Sequence, residues 1–261
     1  MPEGLYLGIT IFLGLALGSF ASALSWRLPR GIPISVERSK CPSCRHALGV
    51  PDLVPFFSWL LLRGRCRFCK AFIGWRYPAI ELATLVLCLV FYARFGFSPS
   101  TLLLFCLAPV LIAAADIDFA FKILPDSLNI SVLALGVAVL AANSLNASDP
   151  PAFITDQAES AVGGMALYAA VAFILRQGCM AVLKKDPLGW GDIKFFGAAG
   201  FWLGANLETF SHFLLVSGLT GVVIALIWRH VRKEAEFPFG PALLAAFVTL
   251  LVLEPPAFIF Q

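Results

Sequence analysis

Two groups of residues in this chain have the types and spacing for chemistry. Cys41-Pro42-Ser43-Cys44 and Cys66-Arg67-Phe68-Cys69 are two C-x-x-C pairs with 21 residues between them. Each pair sets two thiols on one tight knuckle, and two knuckles supply the four sulfurs of a closed, tetrahedral zinc site. The competing reading is two disulfides, which a reducing compartment disfavours. His46 is near enough to ligate, but four cysteines already fill the shell. Cys88, Cys106 and Cys179 lie in apolar stretches and read as small core residues.

The second group is acidic. Glu81, Asp116, Asp118 and Asp192 stand at the ends of long apolar segments, the last inside Gly189-Trp190-Gly191-Asp192. Ionisable groups at membrane depth are costly, so each is a functional-site hypothesis. Two facing carboxylates share one proton, which provides an acid and a base in one site. The base activates a water for attack on an amide carbonyl, and the acid protonates the oxyanion or the leaving amine. The bland alternative is helix capping. Asp192 would serve as N-cap before Ile193, and Asp126, after Pro125, would serve equally for another helix. Spacing alone leaves the two readings level. For Glu81 the bland alternative is a buried partner for Arg76.

These residues need elements to hold them, and composition says which kind. Of 261 residues, 59% are hydrophobic and 13% are charged, against roughly 45–50% and 25% in soluble domains. That excludes an ordinary soluble fold and a disordered chain, and seven cysteines are too few for a secreted disulfide scaffold. The pattern predicts an all-α polytopic membrane protein. Eight apolar segments run near 5–25, 78–93, 100–117, 127–142, 160–182, 193–207, 210–228 and 241–259, of which the fourth and sixth are short. The expected organisation is a first transmembrane helix over 1–25, a cytoplasmic, zinc-ribbon-like loop domain with four cysteines over 26–77, and a seven-helix membrane domain over 78–261. No internal repeat is expected.

Charge asymmetry orients the segments. Ten of the 19 basic residues fall between Arg27 and Arg76, against only Glu37 and Asp52. Lys122, Lys184 and Lys185 mark further cytoplasmic loops, as does the run Arg229-His230-Val231-Arg232-Lys233, a topogenic flank that can touch anionic lipid. The loop 143–159, with Asn143, Asp149, Pro150, Pro151, Asp156 and Glu159, lacks Lys and Arg and reads as external. Only the turn 94–99, carrying Arg94, departs from the rule. Ala21-Ser22-Ala23 looks like a cleavage site, yet only Met1-Pro2-Glu3 precede the first segment and Arg27 and Arg30 follow it, so it reads as an uncleaved helix. Both termini are then outside, and all four carboxylates face the cytoplasm. Asp118 and Asp192 are expected at matching depth on different helices. Gly14 and Gly18, four apart, suggest close helix packing, and Trp26, Trp75 and Trp228 read as interfacial anchors.

Taken together, the motifs resemble the type IV prepilin peptidase family, nearly end to end. Gly18-Ser19-Phe20 with Arg27-Leu28-Pro29-Arg30 resembles its opening. The two cysteine pairs resemble its cytoplasmic loop, and Arg76-Tyr77-Pro78-Ala79-Ile80-Glu81 the stretch after it. Asp118 through Pro125-Asp126 resembles its D-x6-P-D segment, Gly189 to Lys194 its G-x-G-D-x-K segment, and Pro238-Phe239-Gly240-Pro241 its last motif. The resemblance implies that Asp118 and Asp192 are the catalytic aspartates. Asp116 is a rival, but it lies nine residues before Pro125 rather than seven.

The resemblance further implies cleavage of the basic leader of a prepilin or pseudopilin at the bacterial inner membrane, in a pilus or type II secretion system. Methylation of the new N-terminus with S-adenosylmethionine follows, with a structural zinc on Cys41, Cys44, Cys66 and Cys69. No G-x-G-x-x-G fingerprint is present, so the methyl donor's site is non-standard, and Glu81 and the cysteine loop are candidates by analogy only. Asp116 and Asp126 would add an acidic mouth for basic leaders. The expected partners are the substrate and membrane lipid, and no nucleic acid. The alternatives are a peptidase-only relative, a small proton- or cation-coupled transporter using the carboxylates as a relay, and a non-catalytic scaffold recruiting partners through the cysteine loop.

Overall fold

The computed structural model describes residues 3–34, 38–145, 147–184, 188–234 and 236–259. Met1, Pro2, Glu37 and Lys185, named above, lie outside the described residues. The described chain is all helical: α1 (Glu3–Arg27), α2 (Phe57–Leu61), α3 (Arg76–Phe95), α4 (Pro99–Phe121), α5 (Asp126–Ser144), α6 (Pro150–Leu183), α7 (Trp190–Leu203), α8 (Leu207–Arg232) and α9 (Gly240–Leu253). Among the described residues there is no strand, only two isolated β-bridges.

Every apolar segment expected from the sequence forms a helix. Six of them, α1, α3, α4, α5, α6 and α8, are long and apolar enough to cross a membrane. The other two, α7 and α9, have 14 residues each. They rise about 21 Å, short of a hydrocarbon core of about 30 Å. Two boundaries differ from expectation by more than four residues. α9 ends at Leu253 rather than near 259, because Glu254-Pro255-Pro256 cannot continue a helix. α6 begins ten residues before the expected 160, so Asp156 and Glu159 belong to a helix and not to a loop. Asp149 accepts from the Ala152 N–H (3.3 Å), and Pro150 and Pro151 occupy the first turn, where a missing N–H costs nothing.

The chain divides into two compact units, Met1–Asp116 and Ile117–Gln261, with the boundary inside α4. In the first, α1 lies against α3 through its small residues. A Cβ at Gly18 would stand 2.7 Å from the Glu81 Cα, and one at Gly14 2.9 Å from Leu85. The suggested glycine packing is therefore real, and it brings α1 directly over Glu81.

In the second unit, α6 and α7 touch backbone to backbone. A Cβ on Gly164 would overlap the Gly200 carbonyl, and one on Gly200 would overlap Gly164. Tyr168, Phe196, Trp202, Phe213 and Phe247 fill the space around this contact with interlocking rings. The Trp202 indole N–H is satisfied by the Val132 carbonyl of α5 (2.9 Å). Gly200→Ala should therefore force the two helices apart, lowering stability by about 1–3 kcal/mol. Gly178→Ala, at a position with open space, should leave thermal unfolding in detergent unchanged. Equal unfolding temperatures for the two variants would contradict the backbone contact.

Candidate functional site

Asp118 lies in the last turn of α4 and is 4% exposed. Its Oδ2 accepts the Gly240 N–H at 2.8 Å. Gly240 begins α9, so the donor is one of the N–H groups a helix start leaves without an internal partner. Only glycine fits: a Cβ at 240 would stand 2.8 Å from the same oxygen. The turn that carries Gly240 is tied back to α4. Lys122, with φ 55°, ends the helix and pairs with Glu234 at 2.8 Å. That bond holds the Glu234 carboxyl below the ordinary range.

Asp192 is the third residue of α7, and its Oδ2 accepts the Gly189 N–H at 3.1 Å. It is therefore not an N-cap, as the capping alternative had it. Gly189 is the cap, and the carboxylate reaches back to it from the first turn. Asp126 is not an N-cap either, since Pro125 holds that place. The two candidate aspartates lie close enough for the Asp118 charge to act on Asp192. One oxygen of each is engaged by a backbone N–H. The other has no hydrogen-bond partner among the described residues.

What joins the two is Leu124, between them in the chain. A Cβ on Gly191 would stand 2.6 Å from the Leu124 carbonyl, and one on Gly240 3.2 Å from its side chain. The glycines of this segment are thus needed for close approach to the chain's own backbone. Sequence reasoning missed three residues. The Asn129 amide donates to the Gly191 carbonyl at 3.0 Å. The Arg176 Nε donates to the Leu188 carbonyl at 3.0 Å, and its guanidinium lies 4.5 Å from the Trp190 ring centre. Gly240, noted only as part of a motif, is the partner of Asp118. A buried asparagine and a buried arginine in apolar helices were the available signals.

The other carboxylates are paired. Asp116 accepts from Arg76 through both oxygens, with Nε at 2.7 Å from Oδ1. Asp126 pairs with Lys194 at 2.6 Å. A cation therefore offsets each, and neither adds net negative charge to an acidic mouth. Glu81 is not the Arg76 partner, because Asp116 takes that arginine. Its Oε2 instead accepts the Phe56 N–H at 2.6 Å.

The four loop thiols lie within 4.8 Å of one another, and the Cys41 and Cys69 sulfurs are 3.9 Å apart. Zinc–sulfur bonds of about 2.3 Å place tetrahedral sulfurs roughly 3.8 Å apart, so this cluster could hold a metal. All seven cysteines are free, with no disulfide. His46 is outside the cluster, its ring 3.5 Å from that of Phe68.

A short repeat, not expected from sequence, builds the cluster. Cys41 N–H bonds the His46 carbonyl and Arg45 N–H the Cys41 carbonyl. Cys66 N–H bonds Ala71 and Lys70 N–H bonds Cys66 in the same way. Arg45 and Lys70, each after its second cysteine, share positive φ values of 58° and 59°. Burial opposes the Cys41 thiolate, but the Cys44 and Ser43 N–H groups favour it and bring its pKa to about 7. At Cys69 the Ala71 N–H favours the thiolate, while burial and the three neighbouring sulfurs raise the thiol to about 11.

Comparison with known proteins matches residues 12–95 to the bacterial peptidase A24 N-terminal domain and residues 103–226 to the type IV leader peptidase family. A prepilin leader peptidase/N-methyltransferase of Burkholderia pseudomallei is 33% identical, over 99% of this chain and 89% of its own. The chain belongs to the type IV leader peptidase family. A type 4 prepilin-like proteins leader peptide-processing enzyme of Escherichia coli is 32% identical, over 92% of this chain and 91% of its own. A prepilin leader peptidase/N-methyltransferase of Aeromonas salmonicida is 30% identical, over 95% and 91%. No solved structure matches. Within this family the Asn129 contact is testable. Asn129→Ala leaves the Gly191 carbonyl without its donor, which should cost about 1–3 kcal/mol. Asn129→Asp, which cannot donate when ionised, should cost at least as much. Unchanged thermal unfolding for both would show that the carbonyl is satisfied otherwise.

Proposed function

We propose that this chain is a membrane aspartic endopeptidase that removes the basic leader of type IV prepilins or pseudopilins and methylates the new N-terminal residue. The observation that carries the first half is the matched state of Asp118 and Asp192, each held by a backbone N–H on one oxygen with the other oxygen unengaged. The ionised carboxyl takes a proton from a water, whose oxygen adds to the scissile carbonyl carbon. The protonated carboxyl gives its proton to the carbonyl oxygen, and the leaving amine then takes one as the C–N bond breaks. The rigid N–H bonds keep both side chains from rotating away as the proton moves. The relatives' names support the same reading, and the transporter alternative is not favoured.

Zinc is the metal we propose for Cys41, Cys44, Cys66 and Cys69, where it orders a loop with little apolar core and takes no part in the cleavage. With Cys69 near 11 and Cys41 near 7, zinc loading near neutral pH should displace the Cys69 proton. Calorimetry in two buffers of different ionisation enthalpy should show that release, and no buffer dependence would count against a four-thiolate site. S-adenosylmethionine is the proposed methyl donor, from the relatives' names alone. Glu81 is engaged by Phe56, and no step of methyl transfer is assigned to a side chain. By the charge asymmetry, the carboxylate pair and the cysteine loop face the cytoplasm of the inner membrane.

Mass spectrometry of a prepilin-like substrate incubated with the purified protein tests the whole. Wild type should release the leader, and S-adenosylmethionine should add one methyl group to the product. Asp118→Asn and Asp192→Asn should each reduce cleavage by at least about a thousandfold, without loss of folding. Cleavage retained by either variant would remove that aspartate from the mechanism. A cut but unmethylated product would favour the peptidase-only alternative.

A further inference from the structure

The loop between α1 and α3 exposes large apolar side chains: Leu61 is 82% exposed, Phe72 77% and Trp75 74%, with Phe57 and Leu60 about half exposed. Their depth is fixed by one bond. The Phe56 N–H donates to Glu81 Oε2 at 2.6 Å. Glu81 is five residues into α3 from Arg76, about 7.5 Å along the axis. α3 and its neighbour α1 are both long and apolar enough to cross the membrane. Phe56, and α2 directly after it, are therefore held level with the second turn of a spanning helix. At that depth Phe57, Leu60 and Leu61 meet the boundary between headgroups and acyl chains. Trp75, immediately before α3, stands where interfacial tryptophans anchor.

Directly after α2 the chain turns back. Arg63 and Gly64 take φ values of 52° and 66°, and the Trp59 indole N–H ties the turn to the Ile73 carbonyl at 2.9 Å. This turn presents Arg63, Arg65 and Lys70 around a cavity of about 410 Å³, which Leu62 and Cys66 complete. None of the three cations makes an ion pair among the described residues, whereas Arg67 beside them pairs with Asp52 at 2.7 Å. Three unmatched cations around a cavity suit a phosphodiester. The apolar residues of α2, next in the chain, suit the acyl chains attached to it.

We infer that α2 and the Arg63/Arg65/Lys70 cavity form an interfacial foot that binds an anionic phospholipid. The short helix lies in the headgroup boundary, and the cavity takes the lipid phosphate. The foot clamps the cysteine loop to the bilayer at two points, the Phe56–Glu81 bond and the lipid. This goes beyond the peptidase reading and does not depend on it.

Native mass spectrometry of the full chain, released from micelles with equal phosphatidylglycerol and phosphatidylcholine, tests the foot. Wild type should retain phosphatidylglycerol selectively. R63Q/R65Q/K70Q should retain at least roughly tenfold less, and L60S/L61S should also lose it. R38Q/R45Q/R67Q, which removes the same charge from the same loop, should keep it. Equal loss in both charge triples would overturn the site in favour of diffuse attraction. Displacement by millimolar inorganic phosphate, with L60S/L61S unaffected, would overturn it in favour of a soluble-anion site. A measurement on wild type alone avoids any folding defect. Amide exchange over 57–70 should slow in nanodiscs containing phosphatidylglycerol relative to pure phosphatidylcholine, and no change there would also overturn the inference.

Discussion

A carboxylate buried at the end of an apolar helix must accept a hydrogen bond or be neutralised, at a cost otherwise of several kcal/mol. Asp118 depends on one donor, the Gly240 N–H. Much of the second unit follows from that bond. The donor is a helix start, so the helical run is interrupted before α9. It must carry no side chain, so residue 240 is glycine. The loop that delivers it must be fixed, and Lys122 with Glu234 does this from the end of α4. Asp192 meets the same requirement on a smaller scale, by reaching back within its own first turn. The Leu124 backbone lies against Gly191, which ties the two arrangements together.

The first unit follows a parallel logic with a different outcome. Gly18 lets α1 come down onto the backbone of Glu81. With that face covered, the Glu81 side chain meets the loop and accepts the Phe56 N–H. Asp116 is satisfied by a side chain, the fork of Arg76. Each carboxylate of the α3 and α4 ends thus has a distinct partner: Phe56 for Glu81, Arg76 for Asp116 and Gly240 for Asp118. The Arg76 fork, more than the spacing of the acids, separates Asp116 from the candidate catalytic pair.

How much of this was legible in sequence depends on the range of the interaction. The helices other than α2 were, because a long apolar run is a local signal. So were the thiols, since C-x-x-C chemistry is contained in four residues. The start of α6 was not, because Asp149, two prolines and scattered acids spell a loop and a helix start equally well. The capping alternative put the N-cap of α7 at Asp192, three residues late, since a carboxylate that caps and one that reaches back look alike without coordinates. The knuckle repeat escaped notice because its two copies share little beyond the cysteines and a basic residue on either side. The Arg76–Asp116 pair spans 40 residues and Phe56–Glu81 spans 25. No periodicity reports either.

The Asp118–Gly240 bond also has a place in time. The two residues are 122 positions apart, and a ribosome delivers them in order, at roughly 5–20 residues per second. Through much of its own synthesis the nascent chain therefore carries Asp118 with its intended donor unmade. A chain stalled before Gly240 has every cysteine, both aspartates and the clasp around Asp192, yet lacks the group that orients Asp118. Asp118 is oriented by its backbone donor only once α9 has docked.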